Sequence, residues 1–242
     1  MSYDSSPNRR LTPDVVYRGD ARTIDAGLRQ YMLRVYNFMA AGLGLTGAVA
    51  YAAVASGLYQ RIAGTPLIWV VMLAPLALVM LLSFRIERMS VGAAQASFWA
   101  YATLMGLSLG GVFLIYTGVS IARVFFISAA TFGAMSLYGY TTRRDLSQVG
   151  SFLFMGLIGI VLASLVNVFI GSSAFQLAIS MIGVIVFIGL TAWDTQRIKE
   201  IYLESDPGDV LTKKALIGAL SLYLDFINLF MMLLQISGQR RE

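Results

Sequence analysis

The chain has no cysteine and no histidine. The first absence removes disulfides, thiolate metal sites and cysteine nucleophiles, and leaves the redox compartment open. The second removes histidine zinc sites, serine–histidine triads, haem ligation by histidine and the side chain that ordinarily titrates near neutrality. Proton chemistry therefore falls to carboxylates, lysine or tyrosine. Charge is scarce too: charged residues make up 13% of the 242, where soluble domains carry about a quarter. Proline occurs only 5 times, against 23 glycines, which suits packed membrane helices better than a disordered chain.

What is abundant is apolar: 57% of residues are hydrophobic. Apolar stretches recur at about 35–59, 67–84, 97–116, 124–140, 151–171, 175–193 and 215–236, each near the roughly 20 residues that cross hydrocarbon as a helix. Short polar breaks separate them, so consecutive helices are antiparallel neighbours. Tyr36, Tyr59, Trp69, Trp99, Tyr116, Tyr138, Tyr140, Trp193 and Tyr202 fall near segment ends, as interfacial anchors do. The expected fold is an all-α membrane protein of seven transmembrane helices, as one domain over residues 29–242. Residues 1–28 are polar and arginine-rich and read as a cytoplasmic tail, neither signal peptide nor span.

The net charge of +5 points to topology, not to nucleic acid, because no basic stripe interleaves with aromatics. With the N-terminus cytoplasmic, the inner segments hold Arg9, Arg10, Arg18, Arg22, Arg29, Arg34, Arg85, Arg88, Arg143, Arg144, Arg197, Lys199, Lys213 and Lys214. Only Arg61, Arg123, Arg240 and Arg241 remain outside. The positive-inside rule favours that orientation. The two C-terminal arginines dissent, and leave open a last segment that turns back.

Gly42, Gly44 and Gly47 match the dinucleotide glycine pattern but lie inside an apolar span without a preceding strand or downstream acid. Together with Gly106 and Gly110 they read as small-residue helix contacts.

The informative residues are acids. Asp194 lies where the sixth span reaches its polar end, whereas Asp225 stands about ten residues, or roughly 15 Å, into the seventh. An ionisable group at that depth costs roughly 2.5 to 3.5 kcal/mol and turns toward protein or a polar cavity. Ser221, Asn228 and Gln235 give the seventh helix a single polar stripe along with Asp225, so it belongs at the centre of the bundle. If the two carboxylates came within about 4 Å, their repulsion of roughly 4 kcal/mol at an effective dielectric of 20 would make them share a proton near neutral pH. The plainer alternative is that Thr191, Thr195, Ser221 or an arginine satisfies each acid separately.

Two segments resemble the strongest signatures of the transmembrane Bax inhibitor motif family, in its bacterial branch. They are Gly189-Leu-Thr-Ala-Trp-Asp-Thr-Gln-Arg-Ile and Leu220-Ser-Leu-Tyr-Leu-Asp-Phe-Ile-Asn-Leu-Phe. The stretch Gly133-Ala-Met-Ser-Leu-Tyr-Gly-Tyr-Thr-Thr-Arg-Arg-Asp-Leu-Ser is similar to the family as well.

The resemblance implies two three-helix layers around a central seventh helix, in the bacterial inner membrane. It implies a pH-sensitive calcium leak closed when Asp194 and Asp225 share a proton; Thr191, Ser221 and Asn228 are the supporting polar groups that the residues around the pair offer. A second-span arginine, here Arg85 or Arg88, would latch onto the pair. Calcium would be the transported ion, held weakly by Asp194 and Asp225, since six to eight oxygens make a tight site. The second span lacks the acid some relatives carry, which implies weaker or differently selective transport. No tightly bound cofactor is expected; the partners expected are the lipid bilayer, calcium, protons and other membrane proteins.

No catalytic residue is expected. An intramembrane aspartyl protease also pairs acids on consecutive spans, but Leu-Tyr-Leu precedes Asp225 where such enzymes carry Gly-x-Gly, and no proline follows Pro207. A retinal protein needs a lysine deep in the last span, whereas Lys213 and Lys214 precede it. A regulator of membrane proteases or stress signalling that transports nothing is the reading that competes with a leak.

Overall fold

The computed structural model describes residues 13–241, with side chains from residue 26. Its helices are α1 (Pro13–Ala55), α2 (Leu58–Ala63), α3 (Leu67–Arg85), α4 (Val91–Ser108), α5 (Gly110–Ile115), α6 (Gly118–Thr141), α7 (Ser147–Ile170), α8 (Ser173–Glu200) and α9 (Gly208–Ser237). A 3₁₀ turn, Ile86–Arg88, follows α3. Of the tail read over 1–28, residues 1–12 lie outside the described residues and residues 13–28 continue α1.

Local chemistry sets the breaks. Gly57 (φ 73°) ends α1 and Gly171 (φ 67°) ends α7, both in the left-handed region that a side chain makes costly. Ser90, Thr117 and Ser172 each accept an amide proton from the first turn of the helix they precede, α4, α6 and α8. Those caps satisfy donors with no partner inside the helix.

Seven segments among the described residues are long and apolar enough to cross a membrane: Ala26–Ala55, Leu67–Arg88, Val91–Ile115, Gly118–Thr141, Ser147–Ile170, Ser173–Glu200 and Gly208–Ser237. The seven spans expected from hydropathy are all present. Several outlast their apolar runs, because a helix continues past the hydrocarbon for as long as its backbone bonds are satisfied. Thus α9 begins at Gly208, seven residues before the apolar run at 215.

The chain is an all-α membrane protein organised around α9. Of the apolar stretch of α9, 61% is buried, against 11% for α7. Helices α8, α1, α6 and α4 pack on α9, while α3 lies chiefly against α4 and α7 against α8. Phe84 on α3 and Phe169 on α7 are almost wholly exposed, as side chains facing lipid are. Deep inside, the Thr46 hydroxyl donates to Ala102 O at 2.9 Å and meets the Tyr223 hydroxyl at 2.7 Å, tying α1 to α4 and α9.

The last helix does not turn back. It runs unbroken to Ser237, and the residues after it form a strap across the junction of α5 and α6. Thr117 N donates to Gln239 O, Arg241 N to Ile115 O and Gln239 N to Ser120 Oγ, at 2.8 to 3.0 Å. Residues 239–241 therefore lie at the end of the bundle opposite the α6–α7 and α8–α9 connections.

Candidate functional site

Helices α6 and α7 approach α8 closely because glycine faces it from each. A Cβ on Gly139 would collide with the Ala192 carbonyl, and one on Gly150 with the Trp193 indole. The next residue, Asp194, is thereby held at a crowded three-helix junction, about two turns before α8 ends. Arg197, one turn on, lies over the Trp193 ring at 5.5 Å.

Asp194 and Asp225 line one cavity of about 280 Å³, and their carboxyl groups are within hydrogen-bonding reach of each other. Phe154 and Leu157 of α7, Phe187 and Leu190 of α8, and Leu224 of α9 form its apolar walls. Asp225 is only 5% exposed. No donor among the described residues reaches its Oδ2. Two carboxyls bond to each other only when one carries a proton, since a carboxylate only accepts.

Arg197, Ser221 and Asn228 complete the polar lining. The Asn228 amide donates to Leu224 O at 2.8 Å, leaving its oxygen as the acceptor available to the cavity. Among the described residues no group of three acids or other metal-binding side chains comes together. Two carboxyls and a few neutral oxygens fall short of a tight calcium site.

Three residues singled out in the sequence are not among those lining this cavity. Thr191 is buried, but its hydroxyl donates to Phe187 O of its own helix at 2.7 Å, and it does not line the cavity. Arg85 and Arg88 do not line it either. They end α3 and the turn after it, an element that packs on α4 and not broadly on α9. The arginine that lines the cavity with Asp194 is Arg197. Sequence spacing could not show this, since it depends on which helices are neighbours.

Beside the pair runs a hydroxyl chain that the sequence reading did not find. Thr195 Oγ1 donates to Thr191 O at 2.7 Å, so it accepts from Ser136 at 3.0 Å, and Ser136 in turn accepts from the Tyr36 hydroxyl at 2.6 Å. One proton per hydroxyl fixes that direction, and the chain links α1, α6 and α8. Next along α8, Gln196 donates to Arg144 O and accepts from Leu146 N, both at 2.8 Å, clamping the α6–α7 connection. Lys199 Nζ donates to Tyr140 O at the end of α6. The signal was there as polar residues on every turn of an apolar helix, but Ser and Thr that bond their own backbone look the same in a sequence.

The family model described as inhibitor of apoptosis-promoting Bax1 matches residues 28–242. The chain is 50% identical to the inner membrane protein YbhL of Escherichia coli, over 89% of its own length and 94% of that protein's. It is 49% identical to a protein of Rickettsia prowazekii, over 91% and 94% of the two lengths. With a protein of Caulobacter vibrioides it shares 47% identity over 91% and 92%.

Proposed function

The chain belongs to the Bax inhibitor family, and from that premise we propose that it is a multi-pass inner-membrane protein through which calcium leaks under control of the Asp194–Asp225 pair. The observation that carries the reading is that one cavity between α8 and the central helix is lined by two carboxyls, the half-buried Asp194 and the buried Asp225. With a proton between them the pair is a closed contact. Loss of that proton leaves two like charges in a site of low dielectric, and their repulsion drives α8 and α9 apart locally. The same charges then favour a cation. Few oxygen ligands mean weak holding, which suits an ion that must leave as readily as it enters. The N-terminus is cytoplasmic in this reading, which puts Arg143, Arg144, Arg197 and Lys199 on the cytoplasmic side.

Purified protein reconstituted in liposomes with an internal calcium indicator tests this. Calcium entry should rise with pH across neutrality, and Asp194→Asn or Asp225→Asn should abolish that dependence. Entry no faster than in empty liposomes at every pH would end the leak as an intrinsic activity. The pair would then serve a regulator whose conformation other membrane proteins sense.

A further inference from the structure

Away from the acid pair, a second cavity of about 310 Å³ opens between α1 and α6. Gly47 and Ala50 of α1, Phe113 of α5, and Ala122 and Phe125 of α6 line it. Its floor is α9 itself, through Phe226, Ile227 and Phe230. Those three floor residues are at most 8% exposed. Thr46 is the one polar side chain in the lining, and its hydroxyl is already engaged by Ala102 O and Tyr223. A cavity without free polar groups does not hold ordered water.

The mouth is continuous with the lipid-facing surface, since Phe126 on its rim is 71% exposed and Val119, about one turn before the lining residue Ala122, is equally so. Arg123 follows the rim residue Ala122 and is exposed, with no ion pair among the described residues. An arginine near a span's end extends its guanidinium toward the headgroups, where it pairs with phosphate.

We propose that this cavity is a phospholipid site, in which one acyl chain enters between α1 and α6 to lie against Phe226 and Phe230 while Arg123 holds the phosphate. The chemistry is selected twice, by an apolar slot with an exposed apolar rim and by a cation beside that rim. The site does not depend on conduction. It would place a lipid chain against the residue that follows Asp225, on the helix that carries the gate.

Two glycines make the test clean. An added Cβ on Gly47 or on Gly44 meets nothing within 4 Å, but only Gly47 lines the cavity. Gly47→Leu therefore sends a side chain into it from an unobstructed Cβ, and Gly44→Leu is the same change on the same helix outside it. Full-length protein is reconstituted in phosphatidylethanolamine–phosphatidylglycerol vesicles containing a little phosphatidylglycerol with a diazirine in its acyl chain. After irradiation, labelled residues are mapped by mass spectrometry.

Labelling of buried Phe226, Ile227 or Phe230 is expected, falling about tenfold in Gly47→Leu and unchanged in Gly44→Leu. Arg123→Gln should lower the same label while sparing lipid-facing Phe169. If Gly47→Leu misfolds, Ala122→Leu fills the cavity from the opposite wall. Labelling confined to exposed residues, or floor labelling indifferent to both filling variants, would overturn the site.

Discussion

The hydroxyls of Thr46 and Tyr223 lie 2.7 Å apart, and the two ends of that bond are not equivalent. Thr46 also donates to Ala102 O, so the shared proton comes from Tyr223. Tyr223→Phe removes the donor and leaves Thr46 bonded to Ala102, a loss of about 0.5–1.5 kcal/mol. Thr46→Val keeps the shape but strands a buried phenol, a cost of about 1–3 kcal/mol. Thermal unfolding in detergent, followed by circular dichroism, should rank Thr46→Val below Tyr223→Phe. The reverse order would mean that Tyr223 finds another acceptor.

Gln196 holds the α6–α7 connection by one donated and one accepted bond. Gln196→Glu retains the acceptor and loses the donor, whereas Gln196→Leu loses both. Trypsin cleavage after Arg143 or Arg144 should speed up in both variants, more in Gln196→Leu. Equal, unchanged cleavage rates would show that Lys199 on Tyr140 O secures the connection alone.

Asp145 sits in that same connection. Its carboxylate accepts from Ser147 N at 2.8 Å, and the bonds from Ser147 hold its pKa below the usual carboxylate value. A lowered folded pKa favours the folded turn above the unfolded value, near 3.9, and that preference is lost as pH falls through the folded one. Amide exchange at Ser147, corrected for intrinsic rates, should therefore accelerate as the medium is acidified through that window. Asp145→Ala should show fast exchange throughout and no acid step.

If calcium flux follows the acid pair, Arg197 is the cation that sets where in pH it begins, because it lines the cavity that holds both acids. Arg197→Gln withdraws support from the charged pair, so the onset of flux should move to higher pH. Arg85→Gln and Arg88→Gln should leave the onset in place, since neither side chain lines the cavity. An onset that moved only with the second-span arginines would restore them as the latch.

These contrasts show what the sequence carries. The spans were legible because twenty apolar residues have few other uses, and Asp225 because a charge in that setting needs a reason. Their ends were less so: α9 starts at Gly208, where polar residues continue a helix that hydropathy no longer marks. Arg85, Arg88 and Thr191 read equally well as partners of the pair, since proximity across the bundle leaves no trace in spacing. The glycines divide in the same way. Gly106 meets Thr46 O and Val49, whereas Gly44 and Gly47 face open space, although all three sit in similar apolar runs.

The C-terminal strap bears on how the central helix can move. Beyond Ser237 the chain is stitched to Ile115, Thr117 and Ser120. Near the other end Lys214 grips Ile201 O and Asp206, and Lys213 reaches Glu87 O. A rod clamped near both tips cannot piston along its own axis. It can twist or bow at mid-length, and mid-length is where Asp225 stands.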